Sequence, residues 1–229
     1  FSVTAEIDIM NNYKTYFKGS YHSALHYTVL ERLMHYYLYL YKSAGLKTGE
    51  KVSSSEIAKH FNLNDTLVRK DLARIGVKGV PRVGYDRKTV VRSIVNSLGL
   101  NYNYNAVMIG AGRLGGAIAE YKPFSELGLS LVGIFDIDEA KIGENIGRQI
   151  IQPISELKNA VVSFKVKLGI LTCDREAAQR IAEDLIDAGV KALWNFSPRV
   201  LNVPTDVFVR NEHISVGLAE LTYNLKNTS

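Results

Sequence analysis

An α/β fold class, with a small basic helical module ahead of a Rossmann-like parallel sheet, follows from three observations. After residue 100, strand-like apolar runs alternate with helical patterns, the order expected of parallel strands joined by crossover helices. A glycine-rich turn, Gly110-Ala111-Gly112-Arg113-Leu114-Gly115, joins one such run to a helix. Charge is uneven: residues 1–98 hold 15 Lys/Arg against 8 Asp/Glu, and residues 99–229 hold 13 against 15. A basic module joined to a mildly acidic one points to a polyanionic partner for the first. A solvated basic face is the plainer alternative.

At 229 residues there is room for two modest domains. The single cysteine, Cys173, excludes an internal disulfide framework and a cysteine-rich metal site, and a reducing cytoplasm is the expected compartment. No uncharged apolar run approaches a membrane span, and no signal-peptide pattern opens the chain. Residues 1–26 lack periodicity and read as an arm with no assigned function.

The module at 27–99 is expected to be a winged helix-turn-helix. Thr28-Val29-Leu30-Glu31 reads as a capping box opening a helix to about Ser43, stopped by Gly45. Ser53 and Glu56 form a second box, opening a short helix to His60. After the turn at Asn62-Leu63-Asn64, Asn64 or Asp65 caps a third helix to about Ile75, with Gly76 as stop. Val68, Leu72 and Ile75 face its core side, leaving Thr66, Arg69, Lys70 and Arg74 mainly exposed, as on a recognition helix. Val77 to Tyr85 reads as a hairpin wing whose Lys78 and Arg82 reach phosphates or the minor groove. Ser54 and Tyr85 complete the candidate DNA-contacting set. Asp71, inside the basic helix, is expected to orient Arg74 or cap a neighbour. Asp86 caps a last helix ending at Gly99.

Residues 100–211 carry the sheet. Val107-Met108-Ile109 is a strand, the glycine turn follows, a helix runs to about Tyr121, and the strand from Leu129 ends at Asp136. This is the G-x-G-x-x-G dinucleotide pattern with its acidic residue downstream. Gly110 makes the tight turn, Gly112 admits a pyrophosphate and Gly115 allows close helix–strand packing. Asp136 accepts the ribose diol and repels a 2′-phosphate, which favours NADH or NAD over the phosphorylated cofactors. A polar turn follows, with a short strand at Gln149-Ile151 and a brief helix capped by Ser155. Leu168 to Thr172 and Val190 to Phe196 are further strands, flanking a helix from Arg175 capped by Asp174. Ligands sit at the carboxyl ends of such strands, which places Thr172, Cys173, Asn195, Phe196 and Ser197 near the cofactor. Cys173 reads as a small pocket liner rather than a redox thiol. Residues 212–229 form an amphipathic helix: Ile214, Leu218, Leu221 and Leu225 make one apolar stripe, to be buried by a partner subunit or by its own domain.

The chain resembles the redox-sensing transcriptional repressor Rex family over about residues 27–225. The resemblance rests on Val68-Arg69-Lys70-Asp71-Leu72, Val83-Gly84-Tyr85, the Gly110–Gly115 turn, Phe135-Asp136-Ile137-Asp138 with Lys141-Ile142-Gly143, and Asn195-Phe196-Ser197-Pro198 with Leu201-Asn202-Val203-Pro204. It implies a homodimer with a swapped C-terminal helix on a pseudo-palindromic operator, released by NADH. It also implies that Arg32 contacts the sheet domain of the dimer and that Tyr121 belongs to the switch near the nicotinamide. His213 stands where the family carries an aspartate, Cys173-Asp174 where it carries valine-proline, and Ala73-Arg74-Ile75-Gly76 ends the recognition helix differently. Two other readings remain at this level: an NAD-dependent oxidoreductase, disfavoured because no substrate domain or acid/base pair is evident, and a nucleotide-binding scaffold.

Overall fold

The computed structural model describes residues 25–42 and 49–227, with the side chains of Lys42 and Ile214 left aside. Most of the expected arm, Ser43 and Gly45 lie outside the described residues. The chain divides into two compact units, one ending at Tyr102 and the other beginning at Asn103.

The first unit contains α1 (Tyr27–Lys42), β1 (Lys51–Val52), α2 (Ser54–Phe61), α3 (Asp65–Arg74), β2 (Tyr85–Asp86) and α4 (Arg87–Leu98). Three caps form as the sequence requires. Ser53 accepts from the Glu56 N–H at 3.0 Å, Asn64 from Thr66 at 2.8 Å, and Asp86 from Thr89 at 2.9 Å. Thr28 does not cap α1. The helix starts one residue earlier, and the His26 ring nitrogen accepts from the Thr28 N–H at 3.4 Å. Leu33, Tyr36, Leu40, Ile57, Val68, Leu72, Val90 and Ile94 are buried together. The wing is less regular than a hairpin. Val80 bridges Gly84 around a tight turn, and its return strand β2 pairs antiparallel with β1, a strand not evident in the sequence. Two residues are too short to show a period.

The second unit is built on a sheet in the order β5-β6-β4-β3-β7-β8-β9 among the described residues. Its strands are β3 (Tyr104–Ile109), β4 (Leu129–Asp136), β5 (Asn145–Ile146), β6 (Gln149–Pro153), β7 (Leu168–Leu171), β8 (Ala192–Asn195) and β9 (Phe208–Asn211). All pairings are parallel except the short β5–β6 hairpin. Alternation along β3 sends Val107 and Ile109 to one face, against α7 (Leu157–Ser163) and α8 (Arg175–Asp187). Ala106 and Met108 go to the other, beside Ile118 and Ala119 of α5 (Arg113–Ala119). Asp174 caps α8 by accepting from Ala177 at 2.9 Å.

Three differences from the sequence reading stand out. The helix after the glycine turn stops at Ala119, and α6 (Pro123–Glu126) follows, because proline cannot continue a helix interior. Ser155 lies inside a 3-10 turn, Ile154–Glu156, instead of capping a helix. Strand β9 extends the sheet beyond β8 and is not evident in Phe208-Val209-Arg210-Asn211, whose single apolar–polar alternation is too short to read. The chain closes with α9 (Ile214–Asn227).

Candidate functional site

The sheet order places a switch point between β3 and β7. From β3 the chain crosses to β4 on one side, and the later strands build outward on the other. Ligands of open α/β sheets sit outside the strand carboxyl ends at such a point. A cleft of about 300 Å³ opens there, lined by Ile109, Gly110, Gly112, Asp136, Ile137, Lys141, Thr172 and Cys173 among others.

The three glycines of the turn have different physical reasons. Gly110 has φ 103°, and a Cβ there would stand 2.7 Å from the backbone carbon of Thr172. A Cβ at Gly115 would stand 2.0 Å from the Gly110 carbonyl oxygen. Both are therefore demanded by the fold. Gly112 is not: its φ is −79°, and a Cβ would meet nothing within 4 Å. An unconstrained glycine facing open space at the start of α5 is the cradle that a pyrophosphate fits. Gly112 supplies no side-chain cap, which leaves the first-turn N–H groups without that competitor. Ala111 is half-buried, while Arg113 and Leu114 are exposed at the rim.

Asp136 ends β4 and is 7% exposed. It accepts from the N–H of Ala111 at 2.7 Å and of Asp138 at 2.9 Å, and the Lys141 ammonium lies 3.3 Å away. Burial pushes this carboxyl up, but those two N–H groups and Lys141 outweigh it and hold it below the ordinary carboxylate value. It is a carboxylate at neutral pH, suited to accept from a diol and to repel an added phosphate. Ile137 is 63% exposed immediately beyond it and borders a second groove of about 740 Å³ toward Ile154, Leu157 and Ile181. An exposed apolar side chain beside a diol acceptor suits a purine face. These residues fit the dinucleotide that the motif implies.

Thr172 serves the turn itself. Its hydroxyl donates to the Gly110 carbonyl at 2.7 Å, tying β7 to the glycine loop. The Cys173 thiol is pushed up to about 11, chiefly by burial, with the nearby Asp174 and Asp136 charges adding to it. It is thus protonated at neutral pH, which agrees with a pocket liner. At pH 7.5 iodoacetamide should modify Cys173 at least about tenfold more slowly than free cysteine, read by mass spectrometry.

Asn195, Phe196, Ser197 and Tyr121 are not among the residues that line this cleft. Asn195 and Ser197 are buried in a network of their own. The Asn195 amide donates to Asn211 at 2.8 Å and to the Arg199 carbonyl at 2.7 Å, and its oxygen accepts from Ser197. They lock the ends of β8 and β9 together and do not line the cleft. Phe196 packs on Trp194 with centroids 5.0 Å apart. Tyr121, 54% exposed, lies beyond the end of α5, edge-on to Phe124.

In the first unit, Thr66, Lys70, Lys78 and Arg82 are exposed, and so are Arg69 and Arg74 at 56% and 52%. Arg69 is steadied by Asp65 at 2.9 Å. Arg82 holds the wing tip with φ 63°, a left-handed conformation rare for such a residue. Ser54 and Tyr85 correct the expected DNA face: both are 8% exposed. The Tyr85 ring lies so close to Gly79 that a Cβ there would stand 2.9 Å from it, so the ring supports the wing from within.

The Arg32 guanidinium grips Asp71 within its own unit, Nε at 2.7 Å and Nη2 at 2.9 Å. Asp71 is fully buried and takes further donors from the Tyr36 hydroxyl at 3.2 Å and Arg74 at 3.3 Å. Burial and the neighbouring Asp71 charge push the Tyr36 hydroxyl up to about 12, so it remains a donor. Arg87 was not evident as a scaffold residue: it donates to the Leu40 carbonyl at 2.7 Å and to Glu50 at 2.7 Å. A lone arginine at a helix start carries no signal of burial. Along α9, Val216, Leu218, Leu221, Tyr223 and Leu225 are 54–69% exposed, and the Ile214 side chain lies outside the described residues. Among the described residues there is no acidic, histidine or cysteine cluster fit for a metal, and no helix is long and apolar enough to cross a membrane.

Residues 27–73 match the family model described as putative DNA-binding protein N-terminus, and residues 101–199 match a CoA binding domain. A redox-sensing transcriptional repressor Rex from Desulforamulus reducens is 45% identical over 174 residues, 76% of this chain and 83% of the relative. One from Clostridium perfringens is 36% identical over 199 residues, 87% and 93% of the two chains. The crystal structure of RSP, a Rex-family repressor, in complex with β-NAD+ and operator DNA superposes with a TM-score of 0.82 at 33% identity, covering 89% of this chain and 94% of that one. The complex of RSP with β-NADH gives 0.79 at 33% identity, covering 89% and 95%. Likeness of this extent, spanning the basic helices and the glycine cleft alike, shows that the chain belongs to the family of the redox-sensing transcriptional repressor Rex.

Proposed function

We propose that this chain is a DNA-binding transcriptional repressor that senses the NADH/NAD+ ratio, NADH binding releasing the operator. The observation that carries the reading is one chain holding both a cleft with an unconstrained Gly112 beside a diol-accepting Asp136 and a separate helical unit whose third helix and wing expose cations. The relatives are repressors rather than enzymes, and RSP structures hold β-NAD+ with operator DNA and β-NADH.

When bound, the cofactor supplies a nicotinamide whose redox state is the signal. The residues of the chain do the rest. Gly112 and the α5 N-terminus admit the pyrophosphate, Asp136 orients the adenosine ribose, and Ile137 covers the adenine. Arg69, Lys70 and Arg74 face the major groove, and Lys78 and Arg82 reach backbone or minor groove. The proposal includes a homodimer on a pseudo-palindromic operator, because the exposed α9 stripe needs a partner and a two-fold protein matches two-fold DNA. Tyr121 and His213 then meet near the nicotinamide, and the cytoplasm is the setting.

Release requires different NADH affinities for the DNA-bound and DNA-free dimers, since equal affinity shifts nothing. In a mobility-shift titration, saturating NADH should raise the operator Kd about 100-fold, while NAD+ changes it little. Equal effects of the two nucleotides would sink the redox reading. Binding with no preference for an operator over unrelated duplex would sink the repressor reading.

A further inference from the structure

A packed path leads from Tyr121 to the root of α9. Tyr121 meets Phe124 edge-on at 5.0 Å, and Phe124 meets Trp194 edge-on at 5.7 Å. The Trp194 indole N–H donates to a carboxylate oxygen of Glu212 at 3.0 Å. The Arg210 guanidinium donates to the same oxygen at 2.9 Å. The Glu212 backbone N–H is fastened to the Asn195 carbonyl at 2.8 Å, and the next residue, His213, accepts from the Val216 N–H that opens α9. Neither Trp194 nor Glu212 lines the dinucleotide cleft or belongs to the basic unit.

The indole also packs on Phe196 with centroids 5.0 Å apart and borders a crevice of about 330 Å³ with largely apolar walls, including Leu168, Ala192 and Phe208. Edge-to-face ring pairs fix the relative angle of their members, and a hydrogen bond to a carboxylate is strong and directional. A ring held by Phe124 and at its N–H by Glu212 is a contiguous packed and hydrogen-bonded link of the kind that carries coupling between sites.

We propose that Trp194 and Glu212 are positioning residues that transmit the placement of Tyr121 to the root of α9, and so set how strongly cofactor binding is coupled to operator release. This rests on the NADH-gated reading above. Neither residue lines the glycine cleft or belongs to the basic unit, so each governs the coupling and not the separate affinities.

The test measures three quantities on the full chain: NADH Kd without DNA, operator Kd without NADH, and operator Kd at saturating NADH. Trp194→Phe keeps a ring against Phe124 and removes the N–H. Glu212→Gln keeps an acceptor and removes its charge. In both variants the two separate Kd values should stay within about twofold of wild type, while the NADH effect on operator Kd falls from about 100-fold to below about tenfold. Tyr121→Phe combined with Trp194→Phe should lose no more coupling than either alone, because members of one path are not additive. Trp194 is the only tryptophan in the chain, so its emission maximum should shift in Glu212→Gln and report the lost charge-assisted bond. Variants that couple as strongly as a coupling wild type would overturn the inference alone. A raised NADH Kd in Trp194→Phe would also overturn it, by placing the residue in the cleft. A wild type that NADH does not release would overturn the gated reading and this inference with it.

Discussion

Gly112→Val should weaken NADH binding at least about 100-fold in a protein that keeps its stability, whereas Gly115→Ala should destabilise the sheet unit itself. Both glycines lie in one motif, but their surroundings differ. The added methyl at Gly115 would stand 2.0 Å from the Gly110 carbonyl oxygen and 2.8 Å from the Thr172 hydroxyl. One contact is backbone and the other is the bond that ties β7 to the loop, so α5 must lift off β3. Overpacking of this kind costs about 3 kcal/mol, roughly a 10 °C fall in Tm for a chain of this size. At Gly112 a side chain enters open space with an ordinary φ, and a poorer helix cap costs about 1 kcal/mol. Its branched carbons occupy the position of the pyrophosphate, so NADH affinity should fall at least about 100-fold, about 2.7 kcal/mol. Thermal melts and NADH titration of both variants separate the effects. A Gly112→Val protein that binds NADH normally would remove the cleft from the proposal.

Asp71→Ala should be the most damaging single change in the basic unit. Asp71 is fully buried beneath Arg32, Tyr36 and Arg74, and a bidentate guanidinium pair is the strongest link between α1 and α3. Removing the carboxylate leaves a part-buried arginine and a buried hydroxyl without their acceptor. The expected loss is about 3 kcal/mol, with operator binding lost as α3 loses its seat. Asp71→Asn, which keeps an oxygen for Tyr36, should lose less. Arg69→Ala is the contrast. Its side chain is 56% exposed, so the melt should barely move, while operator affinity falls and the salt slope of binding drops by about one. An Asp71→Ala protein that melts normally and binds operator would overturn the seating role.

How much was legible in the sequence depends on the range of the contact. Ser53, Asn64, Asp86 and Asp174 cap helices within three residues of themselves, and each is readable from its neighbours. The glycine spacing and Asp136 are likewise local, and they sufficed to locate the cleft. The basic exposed face of α3 follows from a 3.6-residue period alone. Asp71 does orient Arg74, at 3.3 Å, as its neighbourhood suggests, but its other partners and the Asn211 partner of Asn195 lie far along the chain. Arg32 and Asp71 are 39 positions apart, and Asn195 and Asn211 are 16 apart. Nothing in either neighbourhood marks Asn195 as a lock between strands. Tyr85 and Ser54 are both buried, Tyr85 with its ring against Gly79 of the wing, a contact that no local window of residues shows.

The sequence by itself determined the fold class, the order of the longer helices and strands, the glycine cradle and its acidic partner, because each is written in short-range period and spacing. Tertiary structure alone decided which carboxylate holds which arginine, that β1 and β9 pair at all, and that Trp194 bonds Glu212. Strand pairing and buried ion pairs are set by chain segments brought together from a distance. Their free energy appears only when the intervening residues have packed, so no local window of residues records it.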